Sequence, residues 1–171
     1  MAQFVFFYGT LMTPFNRPGR RRIEEHLAFK GRGRITAALF DLGIYPAAVP
    51  APDARVRGEV YEMTDPLVVL QALDEIEGYR PAEPDASLYT RLLTPVALDE
   101  GGMVEAWAYF YNAPLGRAER IASGDYLEYL KAKLAAGSWQ LAADSKLAVA
   151  VSDFPARCLL PASFRLRCGS P

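Results

Sequence analysis

Val56-Arg57-Gly58-Glu59-Val60-Tyr61-Glu62-Met63 and, two residues later, Pro66-Leu67-Val68-Val69-Leu70-Gln71-Ala72-Leu73-Asp74-Glu75-Ile76-Glu77 decide how this chain folds. The first segment alternates as a strand does, and Gly58 marks a bulge or a close backbone contact. The second has helical spacing. Asp65 suits an N-cap, Pro66 the first helical position and Gly78 the stop. Working outward, strands dominate. Residues 3–8 are apolar and aromatic and end at Gly9, which reads as a buried strand entering a turn. Residues 34–42 read as a second strand, broken by Tyr45-Pro46, with Pro50 and Pro52 in a loop. Residues 89–98 and 105–111 read as a hairpin across Gly101-Gly102. Between the first two strands, residues 14–22 read as a loop leading to a short helix near 23–29. Ser123 is placed to cap a further helix over 124–136, with Leu127, Leu130 and Leu134 on one stripe and Gly137 at its end. Helices and strands do not alternate regularly, so the expected class is α+β rather than a doubly wound parallel sheet.

The length of 171 residues fits one domain with a real core. Nineteen basic and 20 acidic residues leave a formal charge of -1, too little positive charge to favour a nucleic-acid partner. No apolar run is long enough to cross a bilayer, so no membrane association is expected. The N-terminus lacks the basic flank of a signal peptide, which points to the cytoplasm. Cys158 and Cys168 cannot build a disulfide framework for a domain of this size. They read as free thiols, with a tail disulfide as the alternative. Their spacing suits no common zinc site and His26 is the single histidine, so no metal is expected. Residues 138–171 read as an irregular tail carrying a candidate strand at 147–151.

Two features could carry chemistry. On a wheel of about 100° per residue, Val69, Leu70, Leu73 and Ile76 share one side of the helix, and Glu77 falls between Leu70 and Leu73. Glu75 and Gln71 lie on the polar side, with Asp74 at the boundary. A core-facing carboxylate needs a reason. Either Glu77 pairs with Arg80 or Arg91, or bends back to solvent, or it is a proton-transfer group at a pocket. In the last case desolvation and the helix C-terminus would raise its pKa. The second feature is the turn Tyr8-Gly9-Thr10-Leu11. Its consecutive backbone N–H groups can form a concave donor site, though an ordinary strand-to-loop corner has the same sequence signature. Strand 105–111 sets Trp107, Tyr109 and Tyr111 on one face, which suits a pocket wall or plain core packing. The run Arg20-Arg21-Arg22 reads as a solvated patch, with an influence on which anionic substrates approach as the alternative.

These segments together resemble the gamma-glutamylcyclotransferase-like (AIG2-like) family. The resemblance runs in order through Tyr8-Gly9-Thr10-Leu11, Tyr45-Pro46-Ala47, residues 56–61, Leu73-Asp74-Glu75-Ile76-Glu77-Gly78-Tyr79, Tyr89-Thr90-Arg91, residues 106–111 and Ile121-Ala122-Ser123-Gly124-Asp125-Tyr126, covering roughly residues 3–136. It implies a small mixed β-barrel with flanking helices, over residues 1–137; residues 138–171 match nothing in the family and read as an extension packing on the domain or an irregular tail. It further implies a glutamyl-holding loop at Tyr8, Gly9, Thr10 and Leu11, with Glu77 as the acid/base residue. The implied reaction cyclises a γ-glutamyl group to 5-oxoproline and releases an amine or amino acid. The implied partner is a small γ-glutamyl compound, with no cofactor. A monomer or homodimer is expected. A non-catalytic binding domain on the same fold, or a hydrolase using the same glutamate, would share these features.

Overall fold

A computed structural model describes residues 2–135. Six strands are present among them: β1 Phe4–Phe7, β2 Leu27–Asp41, β3 Pro46–Met63, β4 Tyr89–Leu98, β5 Met103–Tyr111 and β6 Glu119–Ile121. Three helices accompany them: α1 Pro18–Arg21, α2 Pro66–Glu77 and α3 Tyr126–Ala135. Neighbours run β3-β1-β5-β4-β2, and β2 pairs again with β3. The five strands therefore close into a barrel, which removes the edges an open sheet would leave unpaired. β6 lies outside the ring on β2. β1 is parallel to β5 and every other pairing is antiparallel, so the barrel is mixed. The class is α+β, as the irregular order of strands and helices predicts. None of the described helices is long and apolar enough to cross a membrane.

The core fills with Val5, Phe6, Ile35, Leu39, Val56, Val60 and Val96 from the strands, and Val69 and Leu73 from α2. The helix forms where its caps predict. The Asp65 carboxylate accepts from the Val68 N–H at 3.2 Å, and Gly78 ends the helix in the left-handed region at φ 65°. Gly58 marks a close approach: a Cβ there would lie 2.2 Å from the Phe7 carbonyl oxygen. β1 can pair along this part of β3 only with glycine at that place.

Other expectations need correction. The predicted helix near 23–29 is only a 3₁₀ turn over Glu24–His26, because Leu27, Ala28 and Phe29 pair with Met63, Glu62 and Tyr61 and start β2 early. The prolines at 50 and 52 do not end the ladder. Thr36 pairs with Arg55 and Ala37 with Pro50, so residues 51–54 loop out and β3 continues past them. The loop expected at 14–22 contains the single helical turn of α1. Within the arginine run, Arg22 reaches Glu75 and Arg21 reaches Asn16 at the surface, but Arg20 is only 5% exposed. α3 is capped by Asp125, whose carboxylate accepts from Leu127 and Glu128, rather than by Ser123. On its stripe Leu127 and Leu130 pack on the core while Leu134 is exposed. The tail, its candidate strand, Cys158 and Cys168 lie outside the described residues.

Candidate active site

The last turn of α2 carries Glu77, and the reversal at Gly78 sends the chain away immediately after it. The wheel position is reproduced: Val69, Leu70 and Leu73 are buried, and Glu77 is half-buried beside them. Both arginines that could have paired with it are engaged elsewhere. Arg80 reaches Glu83 at 3.3 Å, and Arg91 reaches Asp74 at 3.0 Å. Glu75, two residues earlier, faces outward to Arg22. Among the described residues no hydrogen bond or ion pair involves Glu77. With no compensating partner, burial alone pushes its carboxyl up from 4.5 to about 7.

Four tyrosines feel the Glu77 charge: Tyr8, Tyr45, Tyr89 and Tyr109. Burial raises the pKa of each, so all are neutral phenols near pH 7. Three are tied into the scaffold. The Tyr8 hydroxyl donates to the Tyr109 carbonyl at 2.7 Å and accepts from the Ala48 N–H. The Tyr89 hydroxyl donates to the Pro46 carbonyl at 3.2 Å. The Tyr109 hydroxyl donates to Asp74 at 2.6 Å, the carboxylate that Arg91 also holds. The two bonds to Asp74 fix the last turn of α2 against the barrel, and the others tie strands of the barrel to one another. The hydroxyls of Tyr45 and Tyr111, by contrast, make no hydrogen bond among the described residues. Their rings flank Tyr89, at centroid distances of 6.3 and 5.4 Å. Together the three form an aromatic wall with two unused polar tips.

The glycine turn adjoins the same cluster. The Met12 N–H donates to the Gly9 carbonyl at 3.0 Å, closing a tight turn. Gly9 lies against Pro46, where a Cβ would come within 2.7 Å of the proline ring. Pro46 in turn accepts from Tyr89. Tyr8 precedes the turn and is itself coupled to Glu77. Within the turn, the N–H groups of Gly9, Thr10 and Leu11 donate no hydrogen bond among the described residues.

The predicted binding residues thus divide by role. Tyr8 is buried with its hydroxyl committed to the barrel, and Leu11 packs into the core. Gly9 and Thr10 are half-exposed and offer backbone. Sequence reading passed over Tyr45 and Tyr89 as individual site residues. The available signal was an aromatic residue at each strand boundary, Tyr45 before Pro46 and Tyr89 after a proline-rich loop. It likewise set Asp74 at a boundary without finding its partners. Those come from β4 and β5, which no helical projection can display.

The family described as gamma-glutamyl cyclotransferase, AIG2-like matches residues 5–128. A Methanocaldococcus jannaschii protein named "Putative gamma-glutamylcyclotransferase" is 31% identical over 128 residues, spanning 74% of this chain and 98% of its own length. The solution structure of ytfP from Escherichia coli is 29% identical with a TM-score of 0.53, covering 74% of this chain and 97% of that one. PH0828 from Pyrococcus horikoshii, 22% identical, has a TM-score of 0.53 over 75% of this chain and 93% of its own, and shares the fold.

Proposed function

Because the chain belongs to the gamma-glutamyl cyclotransferase, AIG2-like family, we propose that it converts a γ-glutamyl compound to 5-oxoproline and a free amine or amino acid, with Glu77 moving the protons. The observation that carries this reading is the half-buried Glu77 carboxylate, without a partner among the described residues and pushed up to about 7 by burial, among four tyrosines beside the Gly9 turn. A carboxyl with no partner serves no purpose in holding the fold. One poised near neutrality suits a general base.

The substrate's α-ammonium gives one proton to Glu77. The freed nitrogen attacks the γ-carbonyl carbon and closes a five-membered ring. The tetrahedral oxyanion then collapses and breaks the bond between the γ-carbon and the leaving nitrogen. Glu77 returns its proton to that nitrogen, and the second proton lost by the attacking nitrogen also ends on the departing amine. Charge and atoms balance without an added reactant. The nucleophile is tethered to its target, so holding it in a near-attack arrangement supplies much of the acceleration. The N–H groups of Gly9, Thr10 and Leu11, without an acceptor among the described residues, bind the α-carboxylate or the developing oxyanion. The hydroxyls of Tyr45 and Tyr111 are left to meet the leaving group.

Incubation with a panel of γ-glutamyl amino acids and amines, followed by mass analysis, tests this. Release of 5-oxoproline is expected. Free glutamate in its place would indicate a hydrolase. Ligand-induced thermal stabilisation with no product from any member of the panel would indicate a binding domain.

A further inference from the structure

We propose that Glu59 and Arg20 are positioning residues that brace the Gly9–Leu11 turn from behind and hold its unused N–H groups in one arrangement; this rests on the reading of that turn as the substrate-holding loop.

Glu59 lies on β3 and is only 3% exposed. One of its oxygens, Oε2, accepts from the Thr13 N–H at 2.9 Å, from Thr13 Oγ1 at 3.2 Å and from the Tyr61 hydroxyl at 2.8 Å. Thr13 opens the 3₁₀ turn that follows Met12. The chain is therefore gripped one residue past the Gly9–Met12 turn. Arg20 comes from α1, on the other side of Tyr61. Its guanidinium lies 4.2 Å from the Tyr61 ring centre and 5.4 Å from that of Phe7. Its Nη1 donates to the Leu11 carbonyl at 3.3 Å. The turn is thus fixed at three points: Gly9 against Pro46, Leu11 through its carbonyl, and Thr13 through its amide.

The arrangement is selective. It uses the Gly9 and Leu11 carbonyls and the amides of Met12 and Thr13, and leaves the amides of residues 9–11 without an acceptor among the described residues. Two charged groups are buried to accomplish this, and apolar residues of similar volume could fill such sites without loss of stability. What the two charged residues add, each through its own contacts, is a defined loop geometry. Among the described residues neither Glu59 nor Arg20 shares a hydrogen bond or ion pair with Glu77, so the brace and the proton-transfer group can be altered separately.

The full chain carrying Glu59→Ala, Glu59→Gln or Thr13→Val is compared with the parent by 15N relaxation and amide exchange without substrate, and by steady-state kinetics with whichever γ-glutamyl compound is turned over. In Glu59→Ala the order parameters of residues 9–11 are expected to fall from about 0.85 to below about 0.6, while the barrel strands keep theirs. Exchange at Met12 and Thr13 should accelerate. KM should rise about tenfold or more, with the acid limb of the pH profile unmoved. Glu59→Gln, which keeps an acceptor, should restore most of the rigidity. Thr13→Val should fall between the two. Unchanged order parameters in the turn, or loosening spread evenly through the barrel, would overturn the proposal. If Glu59→Ala does not fold, Thr13→Val decides in the same way, because it leaves both charges in place. A chain that forms no 5-oxoproline at all would remove the functional reading, while the relaxation data still decide the brace.

Discussion

Glu59 on β3 is buried and Glu77 on α2 is half-buried, and the fold treats the two carboxylates in opposite ways. Glu59 on β3 receives three donors on one carboxylate oxygen. Glu77, at the end of α2, receives none among the described residues and titrates at about 7. A buried carboxylate with all its donors present is a fastener, since each bond restrains an element it joins. One left without donors is destabilising unless something outside the fold uses it. The pair shows that burial alone does not mark a functional acid. Burial without partners, beside a turn with spare N–H groups, is the informative combination.

The hardest test of this contrast is Glu77→Gln. Loss of the proton-transfer group should lower kcat by about 10²–10⁴-fold, read as 5-oxoproline release, with the circular dichroism spectrum unchanged. Near-parental turnover would break the distinction between the two glutamates. Glu59→Ala probes the other side. Thr13 and Tyr61 lose their shared acceptor, and urea unfolding should show a loss of about 2–3 kcal/mol.

The same Glu77→Gln variant sharpens the comparison through pH. The Glu77 carboxyl holds its proton more tightly folded, at about 7, than at its unperturbed 4.5. Its contribution to stability is therefore complete below pH 4.5 and is lost as pH rises through 7. Removing the charge should make the variant more stable than the parent at pH 8, by on the order of 1–3 kcal/mol given its partial contact with solvent. At pH 4 the two should match, and thermal melts at both pH values check this. In the active chain, kcat/KM should fall below a limb near pH 7 as the base becomes protonated. The smallest effect is expected at Glu75, whose ion pair with Arg22 lies at the surface. Glu75→Ala should change stability by no more than about 0.5 kcal/mol and leave turnover intact; a large effect there would mean that the faces of α2 are misassigned.

Much of this molecule could be read from local sequence. Asp65, Pro66 and Gly78 delimit α2 through capping chemistry, and the wheel places Glu77 inward by geometry alone. Gly58 marks a close approach because no other residue lets β1 and β3 meet. The misreadings at β2, β3 and Arg20 share one cause. Leu27, Ala28 and Phe29 join β2 because Met63, Glu62 and Tyr61 stand opposite, and residues 51–54 loop out while β3 continues. Arg20 looks like a third exposed arginine until two rings from other elements cover it. Pairings of distant residues override local propensity wherever they supply hydrogen bonds and burial that the local conformation lacks.

By itself, the sequence determined the α+β class, the ends of α2, the inward position of Glu77 and the glycine turn after β1, because caps, periodicity and backbone freedom act over a few residues. Only the tertiary structure decided that Glu77 has no partner among the described residues while one oxygen of Glu59 takes three donors, and that Asp74 takes the arginine Glu77 could have had. Whether a charge is satisfied depends on which donors the closed barrel brings within about 3 Å of it, and those donors come from strands far away along the chain.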